Sequence, residues 1–184
     1  LLAWKPSTHV YLGIEALKQV NGTDTLIPIY TFNTNDNTRT LLGNYLANEG
    51  LVKILRSNPD AFKMGMVGPD AYPDLPTGQT RIHIPCPDDV VEIEQGETCP
   101  GSQGVPVHAD LWLRHIWDEA LQYGKDDVKA FAFGYLAHAA GDMFMHTYVN
   151  YFAGGPFSSL SDNGVRHFLI ESYVGKRTPA LTTE

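Results

Sequence analysis

The stretch from Asp126 to Val149 restricts this chain most. Phe131, Phe133, Tyr135, Leu136, Met143, Phe144 and Val149 make it apolar almost all round, and no proline interrupts it. A helix of that composition is expected at the centre of a helical domain, buried on every side. Set into it are His138, Asp142 and His146, each one turn from the next, so that all three project from one face. Three ionisable groups on an apolar surface need partners. A rise of about 1.5 Å per residue separates His138 from His146 by about 12 Å along the axis. A zinc–nitrogen bond is only about 2 Å long. A metal-binding row of this kind is therefore expected to serve two or more ions, with Asp142 between them; a set of hydrogen-bonded core residues is the alternative.

The one-turn spacing recurs at His167 and Glu171, on a last helix expected from about Asp162 to Tyr173. Taken alone, this pair fits an ordinary i,i+4 hydrogen-bonded couple as well as two ligands. His9 lies near the start of a first helix that Ser7 or Thr8 can cap and that Asn21-Gly22 stops. Leu41 to Leu46 and Leu51 to Leu55 suggest two short helices, Asp60 caps another, and Thr31 to Thr38 reads as loop. Strand signals are weak, at Leu26 to Tyr30 and Val90 to Ile93. From Pro69 to Pro106 prolines and glycines recur too often for long helices, and a helix then runs from His108 to Tyr123. The turn Gly68 to Asp74 carries two carboxylates, Asp70 and Asp74. The expected fold is all-α, a single-domain helical bundle with a long Pro/Gly-rich loop excursion.

At 184 residues and 43% hydrophobic composition the chain can bury one core. Its net charge of -8 disfavours nucleic acid, because phosphate backbones attract Lys/Arg-rich surfaces. An anionic substrate would need local positive charge, which bound metal supplies. Cys86 and Cys99, each followed by proline in a loop-like stretch, are expected to form a disulfide, which implies an oxidising compartment. Leu1 to Ala3 read as the tail of a signal peptide with cleavage before Trp4, so the sequence reads as a fragment of a secreted or periplasmic protein. No apolar run reaches the roughly 18 residues of a spanning helix. Asn21-Gly22-Thr23 is a glycosylation sequon if the source is a eukaryote.

Four segments in this order carry a resemblance. They are Ser7-Thr8-His9-Val10 with Gly13 and Ala16-Leu17; Ala61 to Val67 leading into Pro69-Asp70; Ala130 to Gly134 leading into His138-Ala139-Ala140-Gly141-Asp142; and His167 with Glu171. Together they resemble the zinc-dependent phospholipase C family, which includes the catalytic domain of glycosylphosphatidylinositol-specific phospholipase D. The resemblance covers most of the chain and implies a catalytic domain over 4–184 with three zinc ions in a cleft between helices. One zinc would take the α-amino nitrogen and carbonyl of Trp4, with His9 and a bridging Asp142. A second would take Asp70, His83, His138 and Asp142, with His108 the alternative loop ligand. The third would take His146, His167 and Glu171. The spacing of His146 from His138 is that of the phospholipase D branch; in secreted phospholipases C the second histidine falls two residues later.

The activity implied is hydrolysis of a phospholipid phosphodiester at a membrane or lipid surface, in which the ions bind phosphoryl oxygens, acidify bound water and stabilise developing charge. Asp70 is the expected catalytic residue, orienting or deprotonating that water. Tyr72, Tyr148 and Phe152 are candidates to line the approach, with core packing the alternative for each. Two other functions compete: a trinuclear-zinc single-strand nuclease on the same scaffold, and a secreted zinc-binding module without turnover.

Overall fold

The computed structural model describes residues 5–20, 26–33, 36, 38–71, 109–155 and 162–181. In chain order these form α1 Pro6–Val20, strands β1 Leu26–Asn33 and β2 Thr38–Leu46, α2 Glu49–Ser57, α3 Pro59–Gly65, a 3-10 turn Gly68–Ala71, α4 Ala109–Tyr123, α5 Asp126–Ala153 and α6 Asp162–Arg177. The architecture is helical, as expected, with one hairpin added. The expected Cys86–Cys99 disulfide and the strand signal at Val90 to Ile93 lie outside the described residues.

Local chemistry sets the helix ends. Pro6 opens α1 and Pro59 opens α3, positions where the fixed φ of proline suits a first turn and its missing N–H costs nothing. Thr8, expected as a cap, instead lies inside α1, where its buried hydroxyl meets Thr178 Oγ1 at 2.9 Å. The Thr178 hydroxyl itself lies 3.2 Å from the Val174 carbonyl, to which it donates, so Thr8 is the donor in this link between α1 and the end of α6. Asn48 caps α2 by accepting the Leu51 N–H at 3.0 Å. Gly154, at φ 90°, ends α5 in a left-handed conformation that suits glycine.

The segment Leu41 to Leu46, expected as helix, is strand. β1 and β2 pair antiparallel from Leu26 with Leu46 to Asn33 with Thr38, with a bulge between Ile29 and Tyr30. Asp36 closes the turn by accepting from the Thr38 hydroxyl at 2.7 Å and its N–H at 3.0 Å, and these bonds hold its carboxyl below the usual range. Thr38, Thr40 and Tyr45 favour extended backbone, whereas the doublets Leu41-Leu42 and Tyr45-Leu46 mimic a helix face. All four of those apolar residues are exposed, so none of them tied the segment to the core.

The core gathers Leu17 of α1, Val52 and Leu55 of α2, Phe62 of α3, Met66 and Ala130 of α5. Burying a side chain such as Phe62 contributes about 1.5–3 kcal/mol. α3 crosses α5 where Gly65 meets Gly134, backbone against backbone; a methyl on either would strike a carbonyl of the facing helix. The expectation that α5 is buried all round needs correction. Its buried face consists mostly of small residues, Ala130, Ala132, Gly134, Ala139 and Ala153, while Met143, Phe144 and Tyr151 are at least three-quarters exposed. Tight helix contact selects small side chains, which leaves the large ones on the opposite side.

Candidate metal centre

The row on α5 faces two different partners. His9, on the second turn of α1, stacks on His138 with ring centroids 3.7 Å apart and planes 14° from parallel. Asp142 presents Oδ1 to His9 Nε2 and Oδ2 to His138 Nε2, each at 3.2 Å. All three residues are buried, and their ligand atoms lie within 4.8 Å of one another. Further along, His146 Nε2 and His167 Nε2 approach Glu171 Oε1 at 3.6 and 2.8 Å, their rings 5.2 Å apart and nearly edge to face. This is a second triplet of the same kind. His138 and His146 thus share a helix face without sharing a triplet.

His138 is oriented from behind. Its Nδ1 lies 2.7 Å from the Met66 carbonyl, so Nδ1 carries the proton donated there and the Nε2 lone pair is turned toward Asp142. A lone pair and a carboxylate facing each other in a buried space require a cation between them, either a proton or a metal. Burial alone would lower the His138 pKa; the pull of Asp142, with the Met66 carbonyl and the charge of Asp70, outweighs it and raises the value. Sequence reasoning missed the Met66 carbonyl, because a backbone acceptor leaves no residue-type signal.

The donor geometry suits metal. Two ligands at about 2.05 Å in a tetrahedral shell stand about 3.3 Å apart, close to three of the His–carboxylate distances here, at 3.2, 3.2 and 3.6 Å, while His167 and Glu171 are nearer, at 2.8 Å. His138 Nε2 and Glu171 Oε1 are buried and form no well-aligned hydrogen bond despite these near neighbours. Each belongs to a triplet whose ligand atoms lie within 4.8 Å of one another, near enough for one cation to satisfy them together.

Asp70 stands on the 3-10 turn that follows α3, its N–H bonded to the Val67 carbonyl at 2.9 Å. Its Oδ2 is buried and its charge is felt at His138, yet it does not join the His9 triplet. Trp4, His83 and His108, together with Tyr72, lie outside the described residues. Tyr148 and Phe152 are exposed and pack on each other at 4.7 Å between centroids, so neither is a core residue.

Fold and site together define a helical protein built to hold metal ions between buried histidines and carboxylates. A profile of the zinc-dependent phospholipase C family matches residues 8–180. The chain belongs to that family, whose members are zinc-dependent hydrolases. No curated protein and no solved structure matches the chain. Among the described residues no helix is long and apolar enough to cross a membrane.

Proposed function

We propose that the protein is a zinc-dependent phosphodiesterase that hydrolyses phospholipids with C-type cleavage, releasing the phosphorylated head group. One observation carries the reading beyond family membership: Asp142 gives one oxygen to His9 and the other to His138, the arrangement a carboxylate needs to bridge two ions. His9, His138 and Asp142 form one part of the cluster and His146, His167 and Glu171 the other, with Trp4, Asp70 and His83 completing it. When bound, the ions supply positive charge to phosphoryl oxygens and acidify nearby water. Asp70, on its turn beside His138, orients the attacking water and accepts its proton. The chain's net charge of -8 weighs against nucleic acid as the substrate, and so against the nuclease reading.

The test is turnover by the zinc-loaded chain. Vesicles of phosphatidylcholine and of phosphatidylinositol are expected to yield diacylglycerol; chelation abolishes this and added zinc restores it. Release of phosphatidic acid would replace C-type with D-type cleavage, and turnover of single-stranded DNA alone would establish the nuclease. Full zinc occupancy without turnover of any of these would leave a binding module. Elemental analysis is expected to find at least two zinc ions per chain. Glu171→Gln is expected to lose zinc from the second triplet while the first stays loaded; undiminished zinc in that variant would remove the second triplet from the cluster.

A further inference from the structure

The metal row on α5 continues toward the helix N-terminus as Tyr135 and Phe131, which precede His138 by about one and two turns and share its face by the same spacing. They stand about 4.5 and 10.5 Å from it along the axis. There the row meets a pocket of about 690 Å³. Phe131 and Tyr135 form its α5 wall, Trp112 and Ile116 come from α4, and Met64 comes from α3. Another wall is the turn that carries Asp70, through Gly68 and Ala71 on either side of that residue. The Tyr135 ring packs directly on Gly68, where an added methyl would lie 2.5 Å from Cδ2. The pocket thus begins beside Asp70 and one turn from His138. None of its described lining side chains is charged. Trp112 donates its Nε1–H to Tyr135 OH at 3.2 Å, which ties these two polar groups of the wall to each other. Pockets of about 300–1,000 Å³ are of a size that takes small molecules. An apolar wall favours an apolar occupant, because both lose surface to water on binding.

We propose that this pocket receives an acyl chain of the lipid whose phosphate lies at the His9–His138–Asp142 triplet. The proposal rests on the phospholipid reading of that triplet and gives the substrate a direction along α5. The row is polar from His138 onward and apolar before it, so a molecule laid along this face must be charged at one end and apolar at the other. A phospholipid has that pattern, with its phosphate at His138 and Asp142 and a chain along Tyr135 and Phe131. In C-type cleavage the pocket then holds the part that leaves as diacylglycerol. Each methylene moved from water into such a wall favours binding by up to about fourfold.

Hydrolysis by the zinc-loaded full chain tests it, on monomeric phosphatidylcholines from dibutyryl to diheptanoyl and on p-nitrophenyl phosphocholine, a diester with no acyl chain. Wild type is expected to gain in kcat/KM along the series, by up to about fourfold for each methylene added to the chain that enters. Ile116→Trp fills the pocket from α4. Met64→Trp fills it from a position 66% exposed, where added bulk leaves the core alone, and decides the matter if the first variant melts early. Either is expected to flatten the series and to lower the ratio of diheptanoyl to chainless turnover by about tenfold or more. Calorimetric titration with decylphosphocholine below its micelle concentration, against choline phosphate, reads the pocket without turnover: the alkyl chain should tighten binding in wild type and add little in either variant. A flat series in wild type, or equal losses on both kinds of substrate in the variants, would overturn the proposal. So would weakened decylphosphocholine binding with the chain-length dependence of hydrolysis intact, since the pocket would then take some other apolar ligand. Turnover of no diester at all would instead reject the proposed function, and the titration would still decide the pocket, with binding indifferent to the alkyl chain overturning it.

Discussion

Asp142→Asn is expected to strip zinc from the His9–His138 triplet and to lower phospholipid hydrolysis by more than about a hundredfold. Loss of an outer residue that only orients a ligand costs about 10- to 100-fold, and Asp142 stands between both histidines, one oxygen to each. Asparagine has nearly the same shape, but it carries no charge to balance a bound cation and offers one oxygen where two face the histidines. The metal-free fold should barely notice the change. A buried carboxylate is costly to desolvate, and removing its charge relieves that cost. His138 meanwhile can shed its proton and remain bonded to Met66, so no charge is stranded. Zinc content and activity should therefore collapse while the melting temperature of the chelated protein changes little. Near-normal zinc and turnover would show that Asp142 is no bridge; parallel loss of fold and activity would show that its role is structural.

The row His138, Asp142, His146 was legible in the sequence because helical periodicity is local: spacing alone puts the three residues on one face. The same arithmetic separated His138 from His146 by about 12 Å, and the structure gives them different partners. The partners themselves were beyond local reasoning. His9 and Glu171 reach the row only through the packing of α1 and α6, and resemblance to the family singled them out. The Leu41 to Leu46 segment misled because doublets of apolar residues fit a helix stripe, whereas cross-strand pairing with Leu26 to Tyr30 depends on distant residues. The outer face of α5 misled differently, since periodicity cannot tell a large apolar residue that packs from one left exposed.

Gly134→Ala is expected to destabilise the fold by about 3 kcal/mol, the upper end of what overpacking costs. No side chain separates α3 from α5 at their crossing: a methyl on Gly134 would run into the Phe62 carbonyl, and one on Gly65 into that of Phe131. Neither obstacle is the end of a flexible side chain, so one helix must move bodily. Alanine's better helix propensity returns no more than about 1 kcal/mol, which leaves the collision dominant. For a domain of this size the loss corresponds to a melting temperature lower by about 6–12 °C. The effect should reach the site as well, because Met66 follows α3 directly and its carbonyl holds His138 at 2.7 Å. Pushing α3 outward draws that acceptor away and frees the imidazole to turn, so zinc affinity should fall along with stability. Gly141→Ala is the control, on the same helix beside His9, where an added methyl meets only His9 Nδ1 at an ordinary 3.8 Å. It should melt at or above wild type, and equal destabilisation in the two variants would show that the α3–α5 crossing has no special role.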